Sequence, residues 1–174
     1  EAASVYFGVF ALMLRVHGFE FLGRVRRPPV DAVNALLSFA YVLLASECAS
    51  ALAGVGLDPY VGFLHQDRPG RKSLALDLME ELRAPLADRF VLTLINRGQI
   101  KMDDFLTEAS GAVRLKDDAR KSLLTAYQER KRESLKHPYL EESIELGLLP
   151  HAQALLLARH LRGDIKNYTP FIVR

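Results

Sequence analysis

The pattern of apolar and polar positions along the chain predicts a protein built mainly of helices. Long apolar runs over residues 2–16 and 30–53 predict a buried first helix and a buried central helix. Amphipathic segments predict further helices over residues 74–83, 85–96, 117–135, 138–146 and 150–161. Ser73 is the predicted N-cap of the helix over 74–83, Pro85 the start of the next helix and Gly98 its end. Residues 100–105 and 112–115 are predicted to pair as one small hairpin. The predicted fold class is therefore all-α, a helical bundle with at most one small hairpin, in a single domain over residues 1–174.

The central apolar run has two interpretations. Between residues 35 and 57 the only formal charge is Glu47, so by hydropathy alone this segment is a transmembrane candidate. Ser46, Cys48 and Ser50 interrupt the run, and the remaining predicted helices are amphipathic, as in soluble proteins. We therefore favour a central helix buried in a helical core or a dimer interface, with no membrane association.

Composition narrows the class of protein without naming a function. Of the 174 residues, 49% are apolar and 25% are charged, which excludes a disordered chain and fits one medium domain. Cys48 is the only cysteine, so an internal disulfide is impossible and a cysteine-based zinc site is not expected. Because the chain has a single cysteine, we expect it to occupy a reducing, cytoplasmic compartment. With 23 basic against 21 acidic residues, the net charge does not by itself require nucleic acid.

Candidate chemistry lies on the predicted helix over residues 74–83. Asp77, Glu80 and Glu81 can project from one side of this helix, and clustered carboxylates repel one another unless a cation lies between them. His65 precedes the helix by a short loop. A histidine with carboxylates gives mixed nitrogen and oxygen ligation, which suits Mn²⁺ and also allows Mg²⁺.

The loop between His65 and this helix carries basic residues, namely Arg68, Arg71 and Lys72. Beside a divalent metal they could hold phosphates, as phosphodiester chemistry requires. The structural alternative is that Glu80 and Glu81 face solvent and pair with Arg83 or Arg71, while His65 is a hydrogen-bonded core residue. Spacing alone leaves both interpretations open.

A second basic cluster, Arg24, Arg26 and Arg27, lies before the central helix and could contact phosphate or cap neighbouring helices. Asp31 and Asn34 begin that helix, and capping or a buried hydrogen bond is the prediction for both.

Two long motifs resemble the signature of the CRISPR-associated integrase family, the catalytic subunits of the CRISPR spacer-acquisition complex. The first is GRVRRPPVDAVNALLSFAY over residues 23–41. The second combines LDPYVGFLH over residues 57–65 with SLALDLMEELR over residues 73–83. Residues 161–171 resemble the carboxyl terminus of the family branch found with type I systems, so the resemblance covers essentially the whole chain.

The resemblance implies roles for particular residues. The metal-binding histidine of the family falls on His65, its downstream acidic ligand on Glu80, and a second acidic position near the metal on Asp77. The first ligand of the family is a glutamate in the motif Gly-x-Glu-Gly-x-Ala-Ala-x-x-Tyr, of which only the latter part is present here. On that register Glu1 is the variable position and the ligand lies two residues earlier; alternatively, the register is shifted and Glu1 itself is the ligand. The amino-terminal β-rich dimerisation domain of the family is absent from this sequence, so the chain resembles the carboxyl-terminal catalytic helical domain.

The resemblance also implies a function and partners. The expected protein is a metal-dependent DNA integrase and endonuclease that inserts captured foreign DNA into the CRISPR array, with Mn²⁺ or Mg²⁺ as cofactor. The six basic residues named above are expected to contact the DNA backbone. The implied partners are double-stranded DNA, a second copy in a homodimer, a small ferredoxin-like subunit and a RecB-like iron–sulfur nuclease. The competing hypothesis is a non-catalytic helical scaffold that dimerises through the central helix.

Overall fold

A computed structural model of the chain describes residues 2–172 and the side chains from Ser4 to Ile172. Within these residues the α-helices are α1 (Ala2–Phe10), α2 (Ala32–Gly54), α3 (Ser73–Leu82), α4 (Arg89–Asn96), α5 (Asp117–Lys131) and α6 (Leu149–Leu161). The strands are β1 (Phe105–Thr107), β2 (Val113–Leu115), β3 (Ser134–Lys136) and β4 (Ser143–Glu145). Short 3₁₀ turns cover Ala11–Met13, Met102–Asp104 and Leu146–Leu148. The mainly helical fold class is confirmed.

The first helix differs from its prediction in length and burial. α1 ends at Phe10 and a 3₁₀ turn carries the chain to Met13, so the helix stops short of residue 16. Phe10 is buried, whereas Val5 and Leu12 are exposed. The prediction of a buried helix over residues 2–16 was therefore wrong, because the helix ends early and only part of its apolar surface is buried.

The central helix α2 matches its prediction closely. Asp31 caps it: Oδ1 accepts a hydrogen bond from the backbone N–H of Asn34 at 2.7 Å, and Oδ2 accepts one from Asn34 Nδ2 at 2.6 Å. Leu36, Leu44 and other large side chains of α2 are fully buried. Burial is not complete on every side, since Val42 is exposed.

Within residues 2–172, α2 alone is long and apolar enough to cross a membrane, by length and composition only. More than half of its most apolar stretch is buried by the protein itself. A core helix of a globular protein meets the same criteria.

Helices α3 and α4 are joined by a π-helical segment, Arg83–Asp88. Ser73 is the first residue of α3 and not its N-cap, since the cap position falls on Lys72 and the Ser73 hydroxyl donates to the carbonyl of Gln66 at 3.1 Å. Pro85 does not restart a helix after a break: it lies inside the wider π turn, where its missing N–H is tolerated. Gly98 adopts a φ of 64° and ends the segment as predicted.

Two antiparallel hairpins complete the fold over residues 2–172. Strands β1 and β2 pair with Phe105 opposite Leu115, close to the predicted hairpin although its first strand begins later than expected. Strands β3 and β4 pair with Leu135 opposite Ile144. This second hairpin replaces the helix predicted over residues 138–146 and the end of the helix predicted to 135. There is thus one hairpin more than the sequence analysis allowed.

The contacts divide the chain into two compact units. The first contains the chain up to Tyr41 together with Ala87–Tyr127, and the second contains Val42–Leu86 together with the chain from Gln128 onward. His65, α3 and α6 all belong to the second unit. The single catalytic domain over residues 1–174 stays a prediction.

Candidate functional site

Asp77 organises the loop that precedes α3. Its Oδ2 accepts hydrogen bonds from the backbone N–H groups of Phe63 at 2.6 Å and Leu64 at 3.0 Å, and its Oδ1 accepts one from the N–H of His65 at 3.0 Å. A carboxylate within an apolar helix is costly unless hydrogen bonds satisfy it. Here the donors are consecutive amides of one loop, so Asp77 fixes the course of the chain into His65.

The pKa of Asp77 reflects two opposing effects. Partial burial acts to raise it, because a buried carboxylate loses hydration. The hydrogen bonds from the Leu64 amide, the His65 ring and the Phe63 and His65 amides outweigh burial, so the pKa of Asp77 lies below its usual value. Asp77 is therefore the charged acceptor of this loop.

His65 and Glu80 converge at one face of α3. Oδ1 of Asp77 lies 2.6 Å from Nδ1 of His65, and Nε2 of His65 lies 3.8 Å from Oε1 of Glu80. With the proton on Nδ1 donated to Asp77, Nε2 presents its lone pair towards Glu80. A carboxylate that orients a histidine in this way is the usual arrangement behind a metal-bound imidazole.

Arg83 also contacts Glu80. Its Nη2 donates to Glu80 Oε1 at 2.7 Å, as the structural alternative expected. Glu80 is 42% exposed and His65 is 23% exposed, so both remain accessible from solvent. The contact with Arg83 holds the carboxylate without enclosing it.

Gly62 allows the loop to lie against the start of α3. A Cβ atom at this position would stand 2.6 Å from Cβ of Ser73 and 2.7 Å from the carbonyl oxygen of His65. Neither neighbour is the end of a flexible side chain. Glycine is therefore required by close approach of two backbone segments.

Glu81 has a different role from the one its spacing indicated. Its Oε1 accepts a hydrogen bond from the Tyr168 hydroxyl and one from Gln153 Nε2 at 3.1 Å, while Oε2 accepts one from the backbone N–H of Phe171 at 2.6 Å. These partners take Glu81 away from His65. The sequence analysis gave neither Gln153 nor Tyr168 a role, because Gln153 lies in no motif and the resemblance over residues 161–171 does not connect Tyr168 with Glu81.

The predicted basic residues differ in their environment. In the second unit, Arg68 and Lys72 are exposed and Arg71 is half-buried. In the first unit, Arg26 and Arg27 are exposed.

Arg24 matches the capping alternative, since its guanidinium is bound to the chain itself. It donates from Nη1 to Asn34 Oδ1 at 2.7 Å and from Nη2 to Ser38 Oγ at 3.0 Å. Its Cζ atom also lies 5.3 Å from the centre of the Tyr41 ring. Phosphate contact by the exposed basic residues stays a prediction.

A divalent cation fits part of this arrangement. His65 Nε2 and a Glu80 oxygen supply the nitrogen and oxygen donors that Mn²⁺ accepts, and Mg²⁺ would be held through Glu80. In the part of the chain from residue 2 to 172, no three His, Cys, Asp or Glu side chains are grouped so as to hold a metal. Glu1, the third ligand on the shifted register, lies outside the described residues.

Fold and site together define a mainly helical protein in which a histidine and a carboxylate, His65 and Glu80, converge beside one helix. A sequence model of the family described as CRISPR associated protein Cas1 matches residues 1–129. The chain belongs to the Cas1 family of CRISPR-associated proteins.

Relatives agree along nearly the whole chain. A Rhodospirillum rubrum protein named CRISPR-associated endonuclease Cas1 2 is 60% identical over 173 residues, which are 98% of this chain and 50% of that protein. A Chlorobaculum tepidum protein named CRISPR-associated endonuclease Cas1 1 is 56% identical over 100% of this chain and 51% of its own length. A Geobacter sulfurreducens relative, 47% identical over 99% of this chain and 32% of its own length, is named an exonuclease Cas4/endonuclease Cas1 fusion. The chain thus spans about half the length of the first two relatives.

Solved structures share the fold. A Cas1 protein from Thermotoga maritima superposes with a TM-score of 0.84 at 30% identity, over 93% of this chain and 50% of that one. A casposase bound to integration product superposes with a TM-score of 0.85 at 27% identity, over 95% of this chain and 46% of that one. A Cas6-RT-Cas1–Cas2 complex gives a TM-score of 0.81 at 30% identity, over 98% of this chain and 18% of that one.

Proposed function

We propose that the protein containing this chain is a metal-dependent DNA integrase and endonuclease that inserts captured foreign DNA as new spacers into the CRISPR array. The observation that carries the proposal is the convergence of His65 Nε2 and Glu80 Oε1, 3.8 Å apart, with Asp77 anchoring the imidazole from behind. Membership of the Cas1 family supports it, as do the endonuclease names of the relatives and the integration product on the casposase.

In this proposal His65 and Glu80 hold Mn²⁺ or Mg²⁺ together with the glutamate expected upstream or with Glu1. When bound, the cation lowers the pKa of an attacking oxygen and offsets charge on the scissile phosphate. Asp77 keeps the proton on Nδ1 of His65, so that Nε2 stays available as a donor.

The basic residues supply contacts that do not depend on DNA sequence. Arg68, Arg71 and Lys72 bind the phosphate backbone beside the site in the second unit, and the exposed Arg26 and Arg27 do so in the first. Such contacts weaken as salt is raised, because each neutralised phosphate releases counterions.

The proposed partners follow from the same relatives. Double-stranded DNA is supported by the casposase and its integration product, and a second CRISPR subunit by the Cas1–Cas2 complex. An iron–sulfur nuclease partner is supported by the relative fused to an exonuclease. A homodimer and a prokaryotic cytoplasmic location complete the proposal.

The test is strand transfer by the full-length protein. In Mn²⁺, the enzyme should join a DNA fragment with a free 3′-hydroxyl to a plasmid that carries the array. His65→Ala should reduce joining and cleavage by about a hundredfold or more, because even changes behind a metal ligand typically cost 10- to 100-fold.

The matched control is His151→Ala, at an exposed histidine of α6 in the same unit, which should keep full activity. Both variants should retain the helical circular-dichroism spectrum. Undiminished strand transfer by the His65 variant would contradict the assigned site and favour the scaffold hypothesis.

A further inference from the structure

A polar cluster in the second unit joins the carboxyl-terminal tail to α3, and the proposed chemistry does not use it. We call it the tail latch: the carboxylate of Glu81, the amide of Gln153, the hydroxyl of Tyr168 and the backbone N–H of Phe171. Besides bonding to Glu81, Gln153 Nε2 donates to the Tyr168 oxygen at 2.9 Å. Carboxylate, amide and hydroxyl thus contact one another.

A buried histidine fixes the orientation of the latch. Gln153 and His137 are both almost completely buried, and His137 Nε2 lies 2.9 Å from Gln153 Oε1. Nδ1 of His137 accepts from the backbone N–H groups of Tyr139 at 3.2 Å and Leu140 at 3.1 Å. Nε2 must therefore carry the proton, and it donates to the carbonyl oxygen of Gln153. The amide nitrogen of Gln153 is consequently directed at Glu81 and Tyr168, so the latch has a single arrangement.

The tail latch contacts α3 at Glu81, one residue after the candidate metal ligand Glu80. Glu81 follows Glu80 directly, and α3 ends one residue later in the π-helical segment that contains Pro85. Proline has no N–H to donate to the preceding turn, and a π turn is less regular than an α turn. The last turn of α3 therefore has less support from its own helix than an ordinary turn, and Glu81 gives it an anchor outside the helix.

Tail, loop and helix also meet around one cavity. A cavity of about 270 Å³ is lined by Tyr168 and Pro170 of the tail, by Leu64 of the loop before α3, and by Asp77 and Glu80 of α3. Releasing the tail would remove one wall of this cavity.

We propose that Glu81, Gln153 and Tyr168 are positioning residues of the candidate metal site. By fixing the last turn of α3, the latch holds Glu80 at its distance from His65 Nε2, so tail docking and metal affinity are coupled. The inference rests on the proposed function, since it concerns the ligands assigned there. The alternative is that the latch only fastens the tail.

The test substitutes Tyr168→Phe in the full-length protein. This change removes the hydroxyl that donates to Glu81 and accepts from Gln153, while the ring stays. We expect the Mn²⁺ dissociation constant, measured by electron paramagnetic resonance of free Mn²⁺, to rise about tenfold. Amide hydrogen exchange over residues 164–172 should become faster, and excess Mn²⁺ should restore DNA cleavage.

Two further variants make the result decisive. Tyr139→Phe removes the hydroxyl of an exposed tyrosine in the same unit and should leave exchange and Mn²⁺ affinity unchanged. Glu81→Gln keeps the size of the side chain but replaces one accepting oxygen with a donor, so it should weaken Mn²⁺ binding in the same direction. It also serves if Tyr168→Phe fails to fold.

The outcomes separate the two proposals. Faster exchange in the tail with unchanged Mn²⁺ affinity would show that the latch is only a fastening, and would overturn the inference. Unchanged exchange together with unchanged affinity would overturn it as well. In both cases Mn²⁺ binding by the unaltered protein would leave the proposed function standing, whereas no Mn²⁺ binding by that protein would overturn both.

Discussion

Asp77 shows how one carboxylate can order a loop and orient a histidine at the same time. The sequence indicated an acidic residue near a metal, but not its partners, because backbone amides leave no mark in an amino-acid pattern. In the structure three consecutive amides and the His65 ring donate to it. Asp77 therefore acts on the candidate site through His65.

Gly62 lies where the loop before α3 approaches Ser73 closely, and a substitution there tests this packing. Gly62→Ala should lower the free energy of unfolding by about 1–3 kcal/mol, because the added methyl group overlaps Ser73 and the His65 carbonyl. The displaced loop should also weaken Mn²⁺ binding. Chemical denaturation and Mn²⁺ titration of the same preparation measure both effects.

Gly54→Ala is the control for this substitution. A Cβ atom at Gly54 would have no neighbouring atom within 4 Å, and the residue ends α2, so alanine should be neutral or slightly stabilising. Equal behaviour of the two variants would show that the loop does not need glycine at position 62.

At the scale of elements, α2 depends on its first turn. Asp31→Ala should lower the free energy of unfolding by about 1–2 kcal/mol, because the amide and side chain of Asn34 both lose an acceptor. Urea denaturation followed by far-UV circular dichroism measures the change. Ser50→Ala, at an exposed position of the same helix, should stay within about 0.5 kcal/mol of the unaltered protein. A loss no larger for Asp31→Ala than for this control would contradict the capping role.

The elements best predicted from sequence are those whose signal is local. α2, α3 and α6 carry long apolar patterns, and each was placed to within a few residues. Residues 138–146 read as helical, but Glu141 adopts a φ of 58° and the flanking strands pair across it. Pairing of the two strands in this hairpin overrides the helical propensity of the segment.

The residues of the candidate site also differ in how well the sequence predicts them. His65, Asp77 and Glu80 could be found because they are close in sequence and lie in a motif. The partners of Glu81 could not, since Tyr168 lies at the far end of the chain and only folding brings the two together. For Arg24 the sequence allowed both phosphate contact and helix capping. A basic cluster alone does not show which of its arginines binds a side chain such as that of Asn34.

For the molecule as a whole, Cys48 offers a probe of global opening. Its side chain is completely buried, and burial, with the nearby charges of Glu47 and Glu81, raises the pKa of the thiol to about 12. Only the thiolate reacts with disulfide reagents, so the native protein should resist Ellman's reagent at about pH 8 and react fully once unfolded. The labelling rate should then follow the population of unfolded molecules.

A double variant controls for reagent access. Cys48→Ala combined with Ser50→Cys moves the thiol two positions along α2 to an exposed site, where labelling should be immediate. Rapid, complete labelling of native Cys48 would contradict the burial of α2.

The grip of Asp77 on the loop before α3 has a consequence for variation between related proteins. Nineteen of the twenty amino acids have a backbone N–H. The hydrogen bonds that Asp77 accepts from positions 63 and 64 therefore do not depend on which side chains stand there. Replacing the exposed side chains of Phe63 and Leu64 with any residue that keeps its backbone N–H leaves these donors to Asp77 in place. Proline is the exception, because it has no backbone N–H. A proline at position 63 or 64 would remove one hydrogen bond to Asp77 while His65, Asp77 and Glu80 remain in the sequence.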